Sequence, residues 1–118
     1  MSTRSDFDID QGTNVLMTME LMNLDRSPKD LTNTILYGKM AQGYEYDSSE
    51  TVHWYVVITD APNGIVELSL TAAETSLLDH RSRYVWDVDA HTQESAGAPL
   101  TIERVAAGLI RVKPPVTP

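Results

Sequence analysis

Apolar residues along this chain recur at every second position in short runs, and turn-forming residues break those runs at fairly even spacing. That rhythm predicts a β-sandwich or barrel. Asp6-Phe7-Asp8-Ile9-Asp10 alternates carboxylate and apolar, which lets one face of a short strand lie on a core before Gln11-Gly12-Thr13 interrupts it. Over residues 14–22, Val15, Met17, Met19 and Leu21 share a face, with Asn14, Thr18 and Glu20 on the other, although Leu16 and Met22 blur the period. A polar turn containing Ser27-Pro28 leads to residues 31–41, where Ile35 and Tyr37 oppose Leu36 and Met40.

The strongest strand is Val52-His53-Trp54-Tyr55-Val56-Val57-Ile58-Thr59, whose β-branched and aromatic content suits a pleated surface better than a helix. Asp60-Ala61-Pro62-Asn63-Gly64 predicts a turn, because Gly, and less readily Asn, accepts the positive φ of tight hairpins. Residues 65–70 return as the partner strand, with Val66, Leu68 and Leu70 together. Thr71-Ala72-Ala73-Glu74 has capping-box spacing and predicts a helical turn or two, with Leu77 and Leu78 plugging one end of the sandwich. Arg83-Tyr84-Val85-Trp86-Asp87-Val88-Asp89 is another strand, with Tyr84, Trp86 and Val88 on one face. Residues 91–99 read as flexible and lead into a last strand or pair over 100–112, in which Gly108 marks a bulge or close backbone approach. Pro114-Pro115-Val116-Thr117-Pro118 reads as an extended tail.

Together these elements predict an immunoglobulin-like antiparallel β-sandwich of about seven or eight strands with one short helix. A length of 118 residues fits one domain over 1–118, with short extended termini at about 1–5 and 113–118. One Phe against many Leu, Val, Ile and Met makes the core aliphatic.

The chain carries 9 Lys+Arg against 17 Asp+Glu, a net charge of −8, and no basic run. That field repels polyanions, so nucleic acid is not an expected partner. It favours solubility and permits docking onto a basic surface. No apolar run is long enough to span a membrane, and Met1 to Asp6 lacks the apolar middle of a secretion signal, so synthesis in the cytoplasm is expected. With no cysteine, disulfides, thiolate zinc sites and thiol nucleophiles are ruled out.

Chemical motifs are sparse. Asp6, Asp8 and Asp10 invite a calcium reading, but Gln11 and Met17 stand where an EF-hand loop needs Gly and Glu. Those acids, and Asp87 with Asp89, read as solvated strand faces, and Glu45, Asp47 and Glu50 as an acidic surface loop. His53, His80 and His91 lie in separate segments without metal-ligand spacing. Neither a Gly-x-Ser-x-Gly elbow nor a phosphate loop is present. The expectation is no catalytic, metal or cofactor site. The candidate partner-contacting residues are Tyr44 and Tyr46, which alternate with Glu45 and Asp47, and Lys113, Pro114 and Pro115 in the terminal arm. Met1 to Ser5 forms a second candidate arm.

Several segments in order resemble a set of small tailed-bacteriophage virion proteins with the immunoglobulin-like fold also seen in the N-terminal domain of phage baseplate upper proteins. They are Asp8-Ile9-Asp10-Gln11-Gly12 with the alternating strand that follows, and Asp30-Leu31-Thr32. Next come Asn63-Gly64-Ile65-Val66-Glu67-Leu68-Ser69-Leu70-Thr71 with the helix over 72–78, then Arg83-Tyr84-Val85-Trp86-Asp87-Val88 and Ile110-Arg111-Val112-Lys113-Pro114. The chain departs from the pattern over 38–51, acidic and Tyr-bearing where relatives show a basic strand, and over 94–109, which lacks a tight Asp-Gly hairpin.

The resemblance implies a structural virion component with no catalytic residues to carry over. The expected role is an adaptor or accessory protein of the tail, baseplate or neck, present in repeated copies of a symmetric assembly and contacting other virion proteins. A capsid decoration protein is the alternative in the same class. A glycan-binding module using Tyr44, Tyr46 and an exposed Trp54 or Trp86 belongs to another class, and a small hydrolase with two facing carboxylates ranks last.

Overall fold

The computed structural model describes residues 3–42 and 51–115. These form β1 (Thr3–Arg4), β2 (Phe7–Asp10), β3 (Val15–Glu20), β4 (Thr34–Ala41), β5 (Val52–Asp60), β6 (Ile65–Leu70), α1 (Ala72–Ser76), β7 (Arg83–Thr92) and β8 (Thr101–Lys113). Period-two alternation decides which side chains turn inward. Tyr84, Trp86, Val88 and Ala90 of β7 and Val66, Leu68 and Leu70 of β6 are buried, while their neighbours face outward. Each large apolar side chain so buried contributes about 1.5–3 kcal/mol.

The strands follow one hydrogen-bonded path, β1-β8-β7-β4-β5-β6-β3, with β2 also pairing β8. The path folds at β5. Its first part, Val52 to Trp54, pairs β4, whereas Tyr55 onward pairs β6. One strand thus belongs to both layers, and the core lies between β1, β2, β8, β7 and β4 on one side and β6 and β3 on the other. The fold is the all-β sandwich that the alternation predicts.

Pairing is antiparallel at every contact except one edge, which corrects the purely antiparallel expectation. β1 and β2 run parallel to β8, with Thr3 opposite Ala106 and Phe7 opposite Ile110. No hairpin joins the first segment to the last, so nothing local imposes antiparallel order. Thr3–Arg4, expected within an extended terminal arm, is therefore a strand, and Lys113 is the last residue of β8 rather than part of a tail.

The β8 strand is a single long element with a bulge. Its pairing with β7 slips between Val88 and Asp89, and Val105 and Ala106 are both buried in succession. The extra residue shifts the alternation by one, so the inward set continues as Gly108, Ile110 and Val112. Gly108 is the close approach that its place in a strand implies. A Cβ there would lie 1.7 Å from the Ser5 carbonyl oxygen. That oxygen instead accepts the Trp86 Nε1–H bond at 2.9 Å. Phe7 packs edge-on against both tryptophans, with ring centroids 6.0 Å from Trp54 and 5.5 Å from Trp86.

The β5–β6 hairpin turns at Gly64, whose φ is +69°. A Cβ there would meet the Leu21 carbonyl oxygen at 2.5 Å, so conformation and space both require glycine. The capping box forms as its spacing predicts: Thr71 caps the Glu74 amide while the Glu74 carboxylate accepts from the Thr71 amide at 2.9 Å. Of the two leucines expected to plug the sandwich end, Leu78 is buried and Leu77 is exposed.

Candidate docking surfaces

The two layers present outer faces of different chemistry. On the layer containing β8, acids and bases alternate across strands. Asp8 stands between Arg111 and Lys113, each 3.2 Å away. Hydrogen bonds from the Arg111 guanidinium, then the Lys113 ammonium, hold its carboxyl below the usual range. Arg104 lies 3.1 Å from Asp89 and 3.5 Å from Asp87. Lys39 is paired in register with Asp87 on the same face. Burial pushes the Asp87 carboxyl up, against the opposing pull of Arg104. Its Oδ1 is one of two buried side-chain polar atoms without a hydrogen bond among the described residues, the other being Trp54 Nε1.

Toward one corner this face becomes apolar. Ile35, His91 and Ile102 form a cross-strand row. Tyr37 packs edge-on against His91 with centroids 4.6 Å apart. Ile35, Tyr37, Leu100 and Ile102 are all exposed.

The outer face of β3, β6 and the second half of β5 contains no Lys or Arg; its charges are Glu20, Glu67 and Asp60. Register brings Leu16, Ser69 and Tyr55 into one row and Thr18, Glu67 and Val57 into the next. Leu16 is 68% exposed and Tyr55 71%. This acidic and apolar face was not legible as a surface from the sequence. The outward phase of Leu16 was obscured by its apolar neighbours, and Tyr55 sits in a strand whose composition reads as core.

Among the residues expected to touch partners, Tyr44 and Tyr46 lie outside the described residues. Lys113 is committed to Asp8, and Pro114 and Pro115 continue beyond β8 with exposed side chains. The glycan reading loses two of its rings, because Trp54 and Trp86 are buried in the core. The paired carboxylates Asp87 and Asp89 are spanned by Arg104, which makes them a charge-paired strand face.

No protein-family model matches the chain, and no curated protein matches it in sequence. Among solved structures, the chain shares its fold with the N-terminal domain of ORF48 of phage TP901-1. The TM-score is 0.61 at 13% identity, and the match covers 92% of this chain and 85% of that one. The resemblance to small phage proteins with this fold, carried in the sequence by the order of short segments, thus extends to three dimensions.

Proposed function

We propose that this protein is a non-enzymatic structural component of a tailed-bacteriophage virion, serving as an adaptor or accessory protein of the tail, baseplate or neck. The observation that carries this reading is the fold shared with a phage protein domain over nearly the whole chain. The surface supports it: two broad sheet faces, one of balanced charge with an apolar corner and one acidic with exposed Leu16 and Tyr55. Exposed apolar side chains grouped beside polar and charged ones suit protein–protein contact. Lys113, Pro114 and Pro115 remain candidate contacts in this reading, as do Tyr44 and Tyr46.

The test is to purify particles, detect the chain by mass spectrometry and locate it by cryo-electron microscopy. The expected result is repeated copies at the tail, baseplate or neck. Density confined to the head lattice would replace the adaptor role with capsid decoration. Absence from purified particles overturns the reading altogether.

A further inference from the structure

The two edges of the strand path are guarded very differently. At the β1–β2 edge the chain kinks between the two strands. The Ser5 amide donates to the Ala107 carbonyl at 3.0 Å, and Asp6 Oδ1 accepts the Leu109 amide at 2.9 Å. Asp8 and Asp10 add charge along that edge. Short strands, kinks and charge are the usual devices against unwanted strand pairing. β3 has neither the kink nor the row of charges: its one charged residue is Glu20. It runs Val15-Leu16-Met17-Thr18-Met19-Glu20, without Pro, Gly or Lys, in unbroken register with β6.

The phase of its free side follows from one bond. The Leu21 amide donates to the Gly64 carbonyl at 2.8 Å, so residues 15, 17, 19 and 21 direct their backbone groups toward β6 and its turn. Leu16, Thr18 and Glu20 direct theirs away, and among the described residues no strand meets them. On the inner face, Val15 and Met17 are only half-buried at this open edge, whereas Leu70 and Leu68 beside them are buried.

We propose that β3 is a strand-pairing edge occupied by β3 of a second copy of this chain, antiparallel about a two-fold axis at Thr18. In a continuous sheet, opposed residues must share a face, so only residues of equal parity can pair. The register centred on Thr18 alone pairs all three outward-directed residues with one another: Thr18 with its own counterpart, and Leu16 with Glu20 in both directions. It forms about six cross-strand hydrogen bonds. It also places Met17 beside the partner's Met19 on the inner face, covering the half-buried edge. The two Glu20 carboxylates end up roughly 14 Å apart along the strands, beyond the Debye length of about 10 Å at 0.1 M salt. Parallel pairing would set them side by side. Each chain carries −8, so added salt strengthens the dimer.

The chain has no cysteine, which makes the register directly readable by single-cysteine crosslinking. Opposed residues of a hydrogen-bonded pair have Cα atoms about 5.5 Å apart, within disulfide range. Under mild oxidation Thr18→Cys forms a covalent dimer by itself. Leu16→Cys and Glu20→Cys do not when alone, but crosslink when mixed. In sedimentation velocity the wild-type chain dimerises at tens of micromolar and more tightly at higher salt. Thr18→Pro removes an amide that β6 does not use, and raises the dissociation constant about tenfold or more while circular dichroism stays wild-type. A wild-type chain that stays monomeric to hundreds of micromolar overturns the proposal, as does equal crosslinking at all three positions. Pairing of β3 with a strand of a different protein, the chain alone being monomeric, also overturns it. The pairing does not depend on where the protein resides, so a monomeric chain found in particles removes this inference and leaves the virion role standing.

Discussion

Gly108 sits where three parts of the chain converge. The Ser5 carbonyl approaches it so closely that a methyl group would be 1.7 Å from the oxygen and 2.8 Å from Trp86 Nε1. Alanine there must push the β1–β2 segment off β8 and break the Trp86–Ser5 bond in the same movement. Gly108→Ala is expected to cost about 2–4 kcal/mol in urea denaturation, at the upper end for single substitutions, with a red shift of tryptophan emission. Trp86→Phe keeps most of the ring volume but leaves the Ser5 carbonyl without its donor, and is expected to cost about 1–3 kcal/mol. Because both changes break the same bond, the double variant loses less than the sum of the singles. Additive losses would separate the glycine from the hydrogen bond. The sequence marks Gly108 as a place where backbone comes close, but not which backbone. The visitor comes from the other end of the chain through a parallel pairing that leaves no turn signature.

Among the elements, α1 is short, and its contacts with the β2–β3 turn hold it in place. Thr75 is fully buried; its hydroxyl donates to the Thr13 carbonyl at 2.7 Å and accepts the Gly12 amide at 3.1 Å. Gln11 Nε2 donates to the Leu78 carbonyl at 2.7 Å. Thr75→Val preserves shape but breaks two part-buried hydrogen bonds, to the Thr13 carbonyl and from the Gly12 amide, with an expected loss of about 1–3 kcal/mol. Thr71→Ala removes the cap alone and is expected to cost about 1 kcal/mol. If thermal melting ranks Thr71→Ala as the worse of the two, the helix is held by its cap and not by the turn beneath it. The cap and the Gly64 hairpin were legible because both rest on neighbours in sequence. The role of Thr75 was not, since its partners lie some sixty positions away. The same limit hid β1, whose two residues carry no period, and reversed Leu77, because one turn of helix fixes no amphipathic phase.

Across the whole molecule, strand placement segregates charge: six of the nine Lys and Arg lie in β1, β4, β7 and β8, and none in β3, β5 or β6. The cations are thereby set beside selected carboxylates, and other carboxylates are held by turn hydrogen bonds. Asp8 is lowered by Arg111 and Lys113, Asp25 by the Ser27 hydroxyl and amide, Asp30 by the Thr32 hydroxyl and amide, and Asp79 chiefly by the Arg81 amide. A carboxyl lowered in the folded state stabilises the fold above its unfolded value, near 4, and that stabilisation is lost as pH falls through the lower folded values. Asp87 acts in the opposite direction. Burial raises it, so its ionised form opposes folding, and acidification from its raised value down to the ordinary one adds stability. Urea midpoints taken at pH steps from 7 to 2 should therefore hold level or rise slightly toward about pH 4, then fall steeply below it. Asp87→Asn should remove the upper rise and keep the acid collapse. At pH 7 its stability should stay within about 1 kcal/mol of wild type, because Asp89 retains Arg104. An unchanged upper limb in Asp87→Asn would show that this half-buried carboxylate is better solvated than its orphaned oxygen implies, and that the outer face of β7 is more open to water than the register of its neighbours suggests.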